Sequence, residues 1–221
     1  MSVITISREL GSQGSVIAEK AAQSLGYQLV DKNTVEAVFR EYGMASLKDE
    51  YDSIPRFWDR FDSQKVDQRK NILGMLNETL CALARHDDVV ILGRGGFVIL
   101  QGYRDVLHVR VQAPLAVRVQ RVMEQQPAVA GAGRAEEVVK NHDRLQNDFI
   151  RSVYGADWVN APPFDLVIDT GKIPPDRAAE LIVASAKELP ARDLAGPTTA
   201  DLNVDKVLLE AADEAMHPVG A

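Results

Sequence analysis

Cysteine is almost missing from this 221-residue chain, Cys81 being its single instance. No internal disulfide can form, and a reducing compartment is the natural expectation. Cys81 sits among Leu80, Ala82 and Leu83 in a helical pattern, where a small buried side chain suits better than a nucleophile. The four histidines, His86, His108, His142 and His217, are scattered. With one cysteine they give no ligand-spaced set, which argues against a zinc centre. Positive charge is also short: 25 Lys and Arg stand against 32 Asp and Glu, a net −7. Phosphate-backbone binding needs a basic surface, so no nucleic-acid partner is expected, although one local basic pocket is compatible with that total. No apolar run approaches membrane-spanning length, and no signal-like segment precedes the first strand. The expectation is a cytoplasmic protein without a membrane partner. Internal repeats and low-complexity tracts are lacking as well. What is present, 46% hydrophobic and 26% charged residues, suits one soluble α/β domain with a substantial core.

The organising stretch is at the start. Val3-Ile4-Thr5-Ile6 is rich in β-branched residues and reads as a buried strand. Ser7-Arg8-Glu9-Leu10-Gly11-Ser12-Gln13-Gly14-Ser15 follows, and then Ile17, Ala21 and Leu25 recur at helical spacing. Strand, glycine-bearing turn and helix in this order make an anion trap, because a helix start offers unpaired N–H groups and the positive end of its dipole. The spacing is near a Walker A loop without matching it. In that loop a lysine follows the second glycine and reaches the terminal phosphates, and a Ser or Thr ligates magnesium. With Ser15 in the hydroxyl position, Gly14 stands where the lysine belongs and Arg8 where the first glycine belongs. A plain strand-to-helix turn is the competing account of these nine residues.

Gly26 stops the first helix, and residues 27–30 give a short strand that ends at Asp31-Lys32-Asn33, a polar cluster where open α/β sheets place ligand groups. A helix over about 34–42 leaves Arg40 and Glu41 available to a cleft. Residues 46–67 mix charge with Tyr51, Phe57, Trp58 and Phe61 and show no sustained period, which suggests a mobile helical cap. Ile72, Leu76, Leu80 and Leu83 mark a long helix, and Val89-Val90-Ile91-Leu92 a central parallel strand. That strand stops at Gly93-Arg94-Gly95-Gly96, where glycines let the backbone approach and aim a guanidinium into the crevice. Over 106–111, Leu107, Val109 and Val111 alternate with His108 and Arg110, which predicts a strand less fully covered than the central one. Arg118 and Arg121 lie on the next helix. A second helix over about 135–154 carries His142, Asp143 and Arg144, and the pair reads either as a mobile flap or as a solvated hairpin. A last strand at 164–169 and a helix after Pro174-Pro175 complete the pattern by about residue 189. Beyond a polar, proline-bearing linker, Val204, Leu208, Ala211 and Ala212 mark one short helix, which must pack on the body, meet a partner or fray.

Ile4-Thr5-Ile6-Ser7-Arg8-Glu9-x-Gly11-Ser12-x-Gly14 resembles the opening of the cytidylate kinase-like proteins, a branch of the P-loop nucleoside monophosphate kinases. Matches follow in register at Asp31-Lys32, Gly93-Arg94-Gly95, residues 107–114, Arg118, Arg121-Val122-Met123, Asp143-Arg144, Tyr154-Gly155-x-Asp157-Trp158 and residues 165–170. The resemblance implies a three-layer α/β/α P-loop kinase fold with a five-stranded parallel sheet, order 2-3-1-4-5, and a helical lid. It places the kinase domain at 1–189, with the cap at about 44–67 and the lid at about 115–155, and leaves 190–221 as linker and terminal helix. It implies ATP and magnesium (Mg2+) as donor and a CMP- or dCMP-like acceptor. Gly11, Ser12, Gln13, Gly14 and Ser15 would hold donor phosphates, with Ser15 toward magnesium. Asp31, Lys32, Arg40 and Arg94 would face the acceptor, and Arg8, Arg94, Arg118, Arg121 and Arg144 would supply catalytic charge. Three departures stand out: the missing lysine, Gly95 in place of an expected aspartate, and Gln146 and Asp148 in place of lid arginines.

Three functions remain open on these residues. The leading one is an ATP-dependent phosphotransferase for a nucleoside monophosphate. The second is a nucleotide-binding sensor that keeps the cradle without catalysis, and the third an interaction protein acting through its terminal helix. Oligomeric state is open, a homodimer included.

Overall fold

The computed structural model describes residues 2–42, 66–126, 131–156, 164–189 and 194–217. Most of the expected cap therefore lies outside the described residues.

Among them, five strands form one parallel sheet: β1 (Val3–Arg8), β2 (Gln28–Val30), β3 (Val89–Leu92), β4 (Val106–Gln112) and β5 (Leu166–Asp169), in the order β2-β3-β1-β4-β5. This is the order that the resemblance implied. β1 is central because its neighbours register on both sides, Val3 against Val89 and Val106, and Ile6 against Leu92 and Val109. All six of its residues are apolar, small or at its exit, so both faces can be covered.

Alternation sorts the strand residues into two cores. Ile4, Ile6, Val90, Leu92, Leu107, Val109, Val111 and Ile168 face α1 (Gly14–Leu25) and α7 (Pro175–Glu188). Val3, Val89, Ile91 and Val106 face the opposite layer, which includes α2 (Lys32–Glu41) and α3 (Val66–Arg85). The remaining helices are α4 (Gly96–Ile99), α5 (Leu115–Gln125), α6 (Ala132–Tyr154) and α8 (Lys206–Met216). Fully burying one Ile or Leu is worth roughly 1.5–3 kcal/mol, so two packed faces of this kind fix the strand ends rigidly. Those ends carry the site.

The expectation of a half-covered β4 is overturned, since His108 and Arg110 are both buried. Polar partners make this tolerable: His108 Nδ1 lies 2.7 Å from Thr5 Oγ1, and Arg110 meets Glu9 at 3.2 Å. Alternation of residue type records polarity, and polarity equals exposure only when no partner waits inside. The short helix α4 was not legible in the glycine run at all. It begins at Gly96, with Gly95 as its left-handed N-cap.

The C-terminal segment packs on the body. Leu208, Ala211, Ala212 and Met216 join the core that contains α2 and α3. Arg85 Nη1 donates to Leu202 O at 2.7 Å, and the Thr199 hydroxyl donates to Asp105 at 2.6 Å. Of the three fates open to this helix, docking is the one observed.

Candidate functional site: a braced phosphate-type loop

The turn between β1 and α1 is built from the outside. Ser12 Oγ donates to Glu9 O at 2.7 Å, Arg118 Nη1 to Leu10 O at 3.4 Å, Arg121 Nη1 to Gly11 O at 3.2 Å, and Thr170 Oγ1 to Ser12 O at 2.8 Å. The Leu10, Gly11 and Ser12 carbonyls are thus tied to side chains of α5 and of the turn after β5, while the Glu9 carbonyl closes the turn itself, accepting the Ser12 amide at 3.1 Å as well. In a planar trans peptide the following N–H points the opposite way, so the bracing turns the Gly11 and Gln13 amides away from that wall, the Ser12 amide being spent within the turn. The first-turn amides of α1 have no intrahelical acceptor, and the helix dipole adds positive potential there. Gly11 (φ +79°) and Gln13 (φ +63°) take left-handed conformations to make the curl. Gln13 does so at a cost that glycine would avoid.

The braces are themselves anchored. Glu9 receives Arg110 Nη2 and the Ala113 amide, each at 3.2 Å, and stands 3.3 Å from Arg118 Nε. Arg118 also donates to Ala113 O at 3.0 Å and pairs with Asp143 of α6 at 2.9 Å. Arg121 Nη2 donates to Thr170 O at 2.8 Å, and its Nη1 to the Thr170 hydroxyl at 2.9 Å. A carboxylate, two arginines from one helix and a threonine after β5 together form a rigid outer wall. Burial pushes the Asp143 carboxyl up even against the pull of Arg118. At the rim of the same cleft, desolvation and then Arg8 and Arg118 hold the His142 imidazole below its ordinary value.

Facing the loop is the turn after β3. Its first residue is tied to β1 by Gly93 N donating to Ile6 O at 2.9 Å. Gly93, Arg94 and Gly95 are all left-handed, at φ +76°, +59° and +77°. Three successive positive-φ residues, one an arginine, are a strained arrangement of the kind that clusters at functional sites. The ring of Tyr154, from the end of α6, covers Gly95: a Cβ there would fall 2.7 Å from its Cε2. Tyr154 is held in that place by its hydroxyl donating to Asn77 Oδ1 at 2.9 Å.

A model of the cytidylate kinase-like family matches residues 3–172, well over half of the chain. The chain belongs to the cytidylate kinase-like family. Among its relatives, a cytidylate kinase of Halobacterium salinarum is 26% identical over 200 residues, covering 89% of this chain and 95% of that one. A cytidylate kinase of Ignicoccus hospitalis is 27% identical over 183 residues, covering 82% and 97%. The crystal structure of an uncharacterized protein from Eubacterium ventriosum superposes with a TM-score of 0.63 at 20% identity, over 85% of this chain and 99% of that one. That likeness speaks for the fold alone. Family membership supports a nucleotide kinase.

In this cytidylate kinase-like chain, Arg8, the loop Gly11, Ser12, Gln13, Gly14 and Ser15, and Arg94 come together at the carboxyl ends of neighbouring strands β1 and β3. Arg118 and Arg121, expected as lid charges, reach the loop from behind through its carbonyls. The Asp31 carboxylate caps α2, accepting from Asn33 N at 2.7 Å and Thr34 N at 3.1 Å. Lys32 pairs with Glu36 at 3.3 Å, and Arg40 is exposed in the last turn of α2. Arg144 is exposed on α6 and donates to Asn141 Oδ1 at 2.9 Å. Glu9 and Thr170 were quoted in the motif blocks yet assigned no role. Their positions, one directly after β1 and one directly after β5, were the available signal. Tyr154 stood in a matched block without a role, and its partner Asn77, 77 residues away, gave no signal.

Proposed function

We propose that this chain is an ATP-dependent phosphotransferase acting on a nucleoside monophosphate of the CMP or dCMP kind. The observation that carries the reading is the loop with three consecutive carbonyls tied to its outer wall, because this holds backbone amides in place for an anion without any later rearrangement. The residues fit a bound triphosphate. Gly11 lets the loop seat against its outer wall, since a Cβ there would strike the Arg118 backbone at 2.7 Å, and Gly14 leaves the helix entrance without a side chain of its own. Ser15, exposed in the first turn of α1, would offer its hydroxyl to magnesium. When bound, ATP with magnesium would supply the phosphoryl group.

The chain's own residues then orient and neutralise. Arg94 is assigned to the acceptor phosphate, with Asp31 and Lys32 at the carboxyl end of β2 as its neighbours in that role, while Arg40, in the last turn of α2, stands at the other end of that helix. Arg118, Arg121 and Arg144 sit on the lid, residues 115–155. Phosphoryl transfer asks for little covalent help and mainly for positioned positive charge. A coupled ADP-release assay with ATP–magnesium against CMP, dCMP and UMP tests the reading. Turnover is expected with at least one pyrimidine monophosphate, and Arg94→Ala should lower kcat about 10²- to 10³-fold while the fold persists. Turnover that persists unchanged in Arg94→Ala would remove the acceptor assignment.

A second reading, a nucleotide-binding sensor, is favoured by one observation. Arg118 and Arg121 are spent on bracing the loop, which leaves fewer cations for the reacting phosphates. A thermal shift with nucleotide, together with no ADP release across the acceptor panel, would select it.

A further inference from the structure

The most informative contact in the site is one that glycine makes possible. Gly14 occupies the lysine position of the phosphate loop, and a Cβ built there would fall 2.3 Å from Cβ and 2.9 Å from Cγ of Arg8. The stem of Arg8 therefore runs directly across the Gly14 backbone. At its far end, a Cβ on Gly93 would fall 2.3 Å from Arg8 Nη1 and 3.4 Å from Cζ. The side chain leaves the end of β1, crosses the mouth of the loop and sets its guanidinium against the turn that carries Arg94.

From this path we infer that Arg8 replaces the absent lysine as the cation for the donor's terminal phosphates, and that Gly14 and Gly93 are the track that lets it do so. The inference rests on the phosphotransferase reading and adds one specific claim to it. A lysine at position 14 and an arginine following this path exclude each other sterically, because any side chain at 14 collides with the Arg8 stem. In this chain a lysine at position 14 and an arginine on this path are alternatives. Arg8 also differs from a lysine in kind. It stays charged at any working pH, and its planar fork can engage two phosphate oxygens at once. With its tip at Gly93 it stands between the donor loop and the Arg94 turn, where a transferring phosphoryl group would pass.

The test is nucleotide binding and ADP release by the full chain and five variants, with circular dichroism to establish folding. Arg8→Met keeps the packed stem and removes the charge. It should weaken ATP binding about 10- to 100-fold, as loss of charge-assisted hydrogen bonds does. ADP binding should weaken less and AMP binding hardly at all. Gly14→Lys, which restores the familiar loop sequence, should impair ATP binding because it displaces Arg8. The double variant Arg8→Gly with Gly14→Lys should recover much of what Arg8→Gly alone loses, because only removal of the Arg8 Cβ, 2.3 Å from a Cβ at position 14, opens the space. Gly93→Ala displaces the guanidinium, with the added strain of a Cβ at φ +76°, and should reproduce part of the Arg8→Met defect even if the position-14 variants fail to fold. ATP binding by Arg8→Met within twofold of wild type, or tighter binding by Gly14→Lys with Arg8 intact, overturns the assignment of Arg8 while leaving the phosphotransferase reading in place. A wild-type chain that binds no nucleotide overturns both.

Discussion

Gly95 stands where the resemblance to cytidylate kinases leads one to expect an aspartate, so Gly95→Asp is the obvious restoration. It should fail, for a reason that can be sized. At φ +77° a residue with a Cβ pays roughly 1 kcal/mol for the left-handed backbone. The new Cβ would lie 2.7 Å from Tyr154 Cε2, 3.0 Å from Cζ and 3.1 Å from the hydroxyl oxygen. Tyr154 yields only by giving up its 2.9 Å bond to Asn77, worth about 1 kcal/mol. It would also disturb its edge-on contact with Phe149, at 6.1 Å and 86°, worth about 0.5–1.5 kcal/mol. The single substitution should therefore cost about 2–4 kcal/mol, within the range for overpacking plus backbone strain. In a Tyr154→Ala background the clash is gone and only the backbone term of about 1 kcal/mol should remain. Urea unfolding of the four proteins closes the cycle, with an expected coupling of about 1–3 kcal/mol. If Gly95→Asp costs the same in both backgrounds, to within about 0.5 kcal/mol, the ring is not what keeps the aspartate out.

Two further substitutions test the outer wall and the buried strand. Thr170→Val preserves shape but strands the Ser12 carbonyl and one Arg121 N–H, so it should cost about 2–4 kcal/mol and speed amide exchange in the loop; a loss below about 0.5 kcal/mol in urea melts would refute the bracing. His108 is held below its ordinary pKa by burial, with the Asp165 carboxylate opposing. Its contribution to stability should be complete above about pH 6.5 and be lost as pH falls through the lower folded value, because the unfolded chain takes up the proton first. His108→Gln should flatten that acid limb, and an imidazole carbon signal titrating at or above about pH 6.5 in the folded protein would contradict the account.

The strands, the long helices and the loop between β1 and α1 were legible as pattern. β-branched runs and 3.6-residue periodicities are local, and a parallel sheet needs both faces apolar wherever it lies. Strand order came from the resemblance to the cytidylate kinase-like family, and topology rules alone would have left other orders open. What local pattern cannot carry is the choice of partner for a polar side chain. Arg118 and Arg121 read as lid charges because charge on a helix face is solvated by default, yet both are drawn to carbonyls more than 100 residues away in the chain. His108 and Arg110 read as half-exposed for the same reason, and Thr5 and Glu9 bury them. The terminal helix could have packed, met a partner or frayed on its pattern alone, and the open face beside α2 and α3 decided the matter. Composition and periodicity thus determined which segments are regular and which faces are apolar, because those depend on the backbone and on water. The direction in which each guanidinium and carboxylate points belonged to the tertiary structure, because a charge is placed by the nearest partner that can compensate its desolvation, and nearness is created only by folding.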